Sequence, residues 1–330
     1  MNQHPLINEH PGLVVFFAVV IIVMLLLDLG VFNKRSHEVS NREALTWSVV
    51  WISLAMGFSG LVYYYAGADK FYEFQSAYWI EKALSVDNLF VFILVFKFFE
   101  VQNQNKHKVL FWGIIGALVL RAIFIFSGSY LIQMTHLNVL LKSIGVQELK
   151  YDINLVMTVF GLFLVYAGIK SWSAGDDDDD KDYNNTRGAK LVRRIFKVTK
   201  DYDGDKFFTY KNGERFATPL LVVVAVIEFT DLLFAVDSIP AIFAISRDPF
   251  ILYTSNIFAI LGLRALFFLL DNFIHLFSKL QYGLAVILAF IGIKMIFSPF
   301  YHIGSIYSLM VISGVLVISV IASLLTAKTE

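Results

Sequence analysis

The 330-residue chain contains no cysteine, which excludes disulfides, iron–sulfur clusters, thiolate zinc sites and redox-active thiols in one step. Charge is scarce as well: Asp, Glu, Lys and Arg make up 16%, against about 25% in soluble chains. Lys plus Arg and Asp plus Glu each total 27, so there is no basic surplus to suggest a nucleic-acid face. What the chain has in excess is apolar surface, with 57% hydrophobic residues, 32 of them Phe, and a mean hydropathy of +0.66. Disorder, a coiled coil and a small secreted domain are excluded with the rest. The composition is that of an all-α polytopic membrane protein.

A hydrocarbon core about 30 Å thick needs about 20 apolar residues per helix. Nine runs of that kind are predicted, at 13–32, 44–65, 74–99, 109–134, 153–172, 219–245, 250–270, 280–297 and 305–325. The first ten residues carry no Lys or Arg and no small-residue cleavage site follows, so the first run reads as an uncleaved helix. Counting Lys97 at the end of the third run, the segments after the first, third, fifth and seventh runs, with the C-terminal tail, hold 18 Lys and Arg. The opposite side holds four: Lys70, Lys142, Lys150 and Arg247. By the positive-inside rule the N-terminus is expected outside and the C-terminus in the cytoplasm.

The stretch at 173–218 is expected to be a charged cytoplasmic loop. It opens with the Asp176–Asp180 run, read as a solvated linker. Its basic stretch (Lys190, Arg193, Arg194, Lys197, Lys200) interleaves Leu191, Ile195 and Phe196, a composition suited to an anionic leaflet. Asp201-Tyr-Asp-Gly-Asp205 is not an EF-hand loop, which needs Gly sixth and Glu twelfth; here Gly204 is fourth and Asn212 twelfth.

The strongest pattern is an internal repeat. IEKALSVDN around Asp87 aligns with TDLLFAVDS around Asp237, placing Glu81 on Asp231 and Asn88 on Ser238. GALVLRAIF around Arg121 aligns with AILGLRALF around Arg264, and Gly168-Ile-Lys170 with Gly292-Ile-Lys294. The unit is three runs long, three to five and then six to eight. An odd number forces the second copy to enter from the opposite face, the inverted-repeat architecture of many secondary transporters. The predicted organisation is a two-helix segment at 1–73, a first repeat at 74–172, the charged loop at 173–218, a second repeat at 219–298 and a last helix at 299–330.

Glu81, Asp87, Glu228, Asp231 and Asp237 fall inside these runs, with Asp28 near the inner end of the first. Each charge at a helix centre costs about 2.5–3.5 kcal/mol on insertion scales, so protons, salt bridges or a cation must offset it. Lys82, Arg121 and Arg264 are the pairing candidates, three bases against five acids. Pro240 removes a donor from the Val236 carbonyl beside Asp237, which adds a hard oxygen. Carboxylate, amide, hydroxyl and carbonyl oxygens suit Mg²⁺, Ca²⁺ and Mn²⁺; the scattered Met and interfacial His residues do not build a soft-metal or zinc site. Lys170 and Lys294, near helix ends, are expected to snorkel.

The strings IEKALSVDN and AVDSIPAIFAISRDPFILYTSNIFAILGLRALFFLL resemble the TerC family of bacterial membrane proteins, and YGLAVILAFIGIKMIF followed by Tyr301-His302-Ile303 is similar to its Alx-type branch. The resemblance implies divalent-metal homeostasis, chiefly manganese export. It maps the family's metal positions onto Glu81, Asp87, Asn88, Glu228, Asp231, Asp237 and Ser238. The expectation is a non-enzymatic secondary transporter of Mn²⁺ with no permanently bound cofactor. Proton exchange is plausible chemistry, and the bilayer and the cation are its partners. A metal sensor or scaffold without flux, and Ca²⁺ transport, stay open. An intramembrane aspartyl protease would need YD and GxGD strings on spanning helices. The only Gly-Asp pairs, at 175–176 and 204–205, fall in the loop.

Overall fold

The computed structural model describes residues 6–32, 41–138, 141, 153–173, 182–211, 213–273, 280–301 and 303–327. For Asn8, 27–32, Val86, Asp87, Phe90, Val236, Asp237 and 271–273 the backbone alone is described. In chain order the helices are α1 (Leu6–Glu9), α2 (Pro11–Phe32), α3 (Asn41–Phe98), α4 (Asn103–Met134), α5 (Leu155–Ser173), α6 (Arg187–Ile195), α7 (Pro219–Phe243), α8 (Pro249–Leu261), α9 (Leu263–Phe273), α10 (Leu280–Phe297) and α11 (Ser305–Ala327). Strands β1 (Phe208–Lys211) and β2 (Glu214–Ala217) form one antiparallel hairpin.

Each of the nine apolar runs lies on helix, but the helices are not divided as the runs are. α3 covers the second and third runs in 58 residues. Straight, it would be about 87 Å long at 1.5 Å per residue, nearly three hydrocarbon thicknesses. Gly67 breaks it with φ 84° and ψ 178°, a left-handed conformation that strains any side chain. The seventh run divides at Gly262 into α8 and α9. Among the described residues, seven helical stretches are long and apolar enough to cross a bilayer, with 41–85 counted once; 11–26 is a shorter apolar helix. The protein is an all-α polytopic membrane protein.

The Phe surplus fills the centre. Phe58 lies 5.0 Å from Phe258 and 5.6 Å from Phe74 between ring centroids, and Phe17 lies 5.8 Å from Phe258. These rings join α2, both limbs of α3 and α8. α5 and α10 pack antiparallel at backbone contact. A methyl on Gly161 would stand 2.9 Å from the Gly292 carbonyl oxygen, and one on Gly168 would stand 2.7 Å from that of Ala285. The register that aligns Gly168 with Gly292 exchanges these two contacts. Lys294, expected to snorkel, is instead buried, its Nζ donating to Ser308 Oγ at 2.8 Å. α11 covers it, and a neighbouring helix cannot be seen in local hydropathy.

The described connecting segments gather at two ends of the bundle. At one end Tyr202 Oη donates to the Phe99 carbonyl at 2.6 Å, Asn105 Nδ2 to that of Gly204 at 3.0 Å, and Lys108 Nζ pairs with Asp205 Oδ2 at 2.9 Å. The segment between α5 and α7 is thereby docked on the α3–α4 turn. Its α6 is capped by Thr186, whose Oγ1 accepts from Ala189 N, and its Asp203 accepts from Thr209 and Lys206 within one turn. Burial, then the Glu100 carboxylate, pushes the Tyr202 hydroxyl up to about 12. Hydrogen bonds from Thr209 and Lys206 hold the exposed Asp203 carboxyl below the usual range, and Lys108 does the same to Asp205. The Asp176–Asp180 run lies outside the described residues. At the other end Asp248 Oδ2 accepts from Leu6 N at 3.0 Å, and Ser246 Oγ donates to Glu73 at 2.5 Å.

Candidate functional site

A helix buried in a bundle has no water to solvate its charges, so each charge must be met by another side chain. Arg121 on α4 is fully buried and answers three helices at once. Its Nη1 donates to Glu81 of α3 and, at 3.1 Å, to Asn256 Oδ1 of α8; its Nη2 lies 3.6 Å from Asp231 Oδ1 of α7. Ser85, one turn beyond Glu81, donates to Glu81 Oε1 at 3.4 Å. Glu81 and Asp231, paired by the repeat alignment, thus flank one guanidinium.

The cluster is not saturated. Glu81 Oε2, Asp231 Oδ2, Asn256 Nδ2 and the Nε and Nη2 of Arg121 are buried with no hydrogen-bond partner among the described residues, as is Ser238 Oγ further along α7. Two carboxylates against one guanidinium leave the cluster a net anionic site if both are ionised. Its two spare carboxylate oxygens are hard ligands.

The remaining predicted residues are distributed around this core. Asn88 and Ser238 are buried further along α3 and α7. Asp87 and Asp237 occupy helical positions on α3 and α7, and their side chains lie outside the described residues. Glu228, half-buried on α7, seats its carboxyl against Gly116 of α4, where any side chain would collide with it. Lys82, predicted to pair with an acid, instead donates to the Ala259 carbonyl at 3.2 Å, near the α8–α9 break. Gly262 leaves room for it: a methyl there would stand 2.7 Å from Lys82 Nζ. Arg264 is buried on α9. Pro240 lies within α7, which continues through it to Phe243. Among the described residues no three His, Asp or Glu side chains are grouped to hold a metal ion. Glu81 and Asp231 alone would not suffice.

Sequence reasoning missed Asn256. The signal was present, because Thr254, Ser255 and Asn256 form a polar triplet inside an otherwise apolar run. All three are fully buried; Thr254 and Ser255 bond back to their own helix, so only the amide reaches the cluster.

Residues 66–330 match the profile of the integral membrane protein TerC family. An uncharacterised membrane protein of Myxococcus xanthus is 43% identical over 99% of this chain and 96% of its own length. A protein of Escherichia coli K12, named as a proposed membrane-bound redox modulator, Alx, is 41% identical over 92% of each chain. A membrane protein of Rickettsia bellii is 37% identical over 94% of this chain and 96% of its own. No solved structure matches.

Proposed function

From the premise that this chain belongs to the TerC family of integral membrane proteins, we propose that it is a secondary transporter exporting a hard divalent cation, Mn²⁺, from the cytoplasm. The carrying observation is the pair of buried carboxylates, Glu81 and Asp231, that share Arg121 and each keep one oxygen without a donor. In this reading Arg121 is the counter-cation of the empty site. An arriving Mn²⁺ competes with the guanidinium for the two carboxylates, and the positions Asp87, Asn88, Asp237 and Ser238, about two turns further along the same helices, are assigned to the ion's path. A proton is the proposed exchange partner on the return step. Glu228, facing Gly116, is assigned to the same acidic path.

The topology belongs to the proposal too: nine crossings, with the limbs of α3 counted separately, N-terminus outside and C-terminus inside an inner membrane, and inverted repeats over 74–172 and 219–298. The exchangeable Gly161–Gly292 and Gly168–Ala285 contacts support a two-fold axis between α5 and α10. The name of the Alx relatives suggests redox modulation; with no cysteine, this chain has no thiol with which to perform it.

The test is ⁵⁴Mn²⁺ uptake into everted membrane vesicles, with and without an imposed pH gradient, for wild type, Asp237→Asn and Asp231→Asn. Uptake that needs both acids and responds to the gradient is the expected result. Full flux in both variants removes the site assignment. Tight Mn²⁺ binding to purified protein with no flux above empty vesicles makes it a sensor or scaffold. Preferential competition by Ca²⁺ would change the cargo.

A further inference from the structure

We propose that α6 is an amphipathic helix seated on anionic phospholipid, braced against the helix that carries Glu228, Asp231 and Ser238. The proposal does not depend on what the acidic site carries. At 100° per residue, α6 divides into three sectors. Gly188, Ala189 and Val192 form one, and all three are buried against α7. The approach is close: a Cβ on Gly188 would collide with the Ala225 carbonyl. Arg187, Lys190, Arg193 and Arg194 form the polar sector; Arg193 is tied to Asn184 Oδ1 at 2.5 Å, and Arg187 lies 6.0 Å from the Phe229 ring. Between them lie Leu191 and Ile195, one turn apart, which are 57% and 60% exposed.

Depth supports the assignment. α7 has 25 residues, about 37 Å at 1.5 Å per residue, so centring it on a hydrocarbon core of about 30 Å leaves about 4 Å at each end. Ala225, six residues in, then lies about 5 Å inside the boundary. Gly188 touches it, so α6 occupies the headgroup–acyl zone where interfacial amphipathic helices bury their apolar side. Leu191 and Ile195 face the acyl chains. Lys190, Arg187 and Arg194 stand at the height of the phosphates, where each basic group gains from an anionic surface.

The cysteine-free chain makes the test direct, because one introduced thiol is the only one. Full-length protein carrying Leu191→Cys, Ile195→Cys or, as a control on the 72%-exposed hairpin residue, Tyr210→Cys is labelled with an environment-sensitive dye. It is then reconstituted with phosphatidylcholine alone or with one-third phosphatidylglycerol, and only monodisperse protein is used. Brominated lipid is expected to quench positions 191 and 195 at least twofold more than 210. The difference should grow with phosphatidylglycerol and shrink in the Lys190→Gln/Arg194→Gln double variant. Equal iodide access at 191, 195 and 210 overturns the lipid contact. Quenching indifferent to phosphatidylglycerol and to the double variant overturns its anionic component. Dye self-quenching that rises with protein-to-lipid ratio, without lipid quenching, places a second copy on the face and overturns it as well.

Discussion

The same chemistry, a cation beside a carboxylate, occurs at two places with opposite consequences. Inside the bundle Arg121, Glu81 and Asp231 are at most 5% exposed, whereas on the docked segment Lys197 and Glu214 pair at 2.6 Å with side chains 69% and 59% exposed. Water screens the second pair and lets either partner leave without penalty. The first has no such escape, so every member is held by the others. A charge that is decoration at the surface is an obligation at the core, and an obligation incompletely met is where a ligand can act.

The largest effect is expected from Arg121→Met, which leaves Glu81 and Asp231 uncompensated; loss of one partner of a buried pair costs about 3–5 kcal/mol. Thermal unfolding in detergent should show it, and the triple variant Arg121→Met/Glu81→Gln/Asp231→Asn should recover most of the stability without recovering flux. A triple variant no more stable than the single one would sink the comparison. Glu81→Gln or Asp231→Asn alone should unfold no earlier than wild type by more than a few degrees, while ⁵⁴Mn²⁺ uptake is lost. Arg264→Ala should lower yield and thermal stability more than either of these.

A smaller effect belongs to the docked segment. Lys108 holds the Asp205 carboxyl below its ordinary range. Its contribution is complete above the usual Asp value of about 3.9 and disappears as pH falls through the lower folded value. Amide exchange over 202–209, corrected for intrinsic rates, should therefore be flat from neutral pH to about 5 and rise only in acid; Asp205→Asn should flatten the acid limb. The smallest effect is that of Glu214→Ala, at most about 1 kcal/mol and screened by salt. A larger loss would mean that the hairpin is coupled to the bundle.

Much of the helical scaffold was readable from apolar run length, because a bilayer imposes that length on any crossing helix. The acids were readable because charge is rare in such runs. Where the division into helices departed from the runs, the cause was local backbone geometry: Gly67 kinks a continuous helix, and Gly262 divides another. Lys294 and Lys82 were misread for a shared reason. A partner on another helix, Ser308 in one case and the Ala259 carbonyl in the other, has no signature near the residue it satisfies.

The sequence by itself determined that this is a membrane bundle, which residues are charged inside it and that two stretches echo each other, since composition and spacing are properties of one dimension. Only the tertiary structure decided that Arg121 gathers Glu81, Asp231 and Asn256, and that α6 packs against α7 leaving Leu191 and Ile195 uncovered. Those are contacts between segments far apart in the chain. They follow from which helix faces meet, and that is settled by packing across the whole bundle.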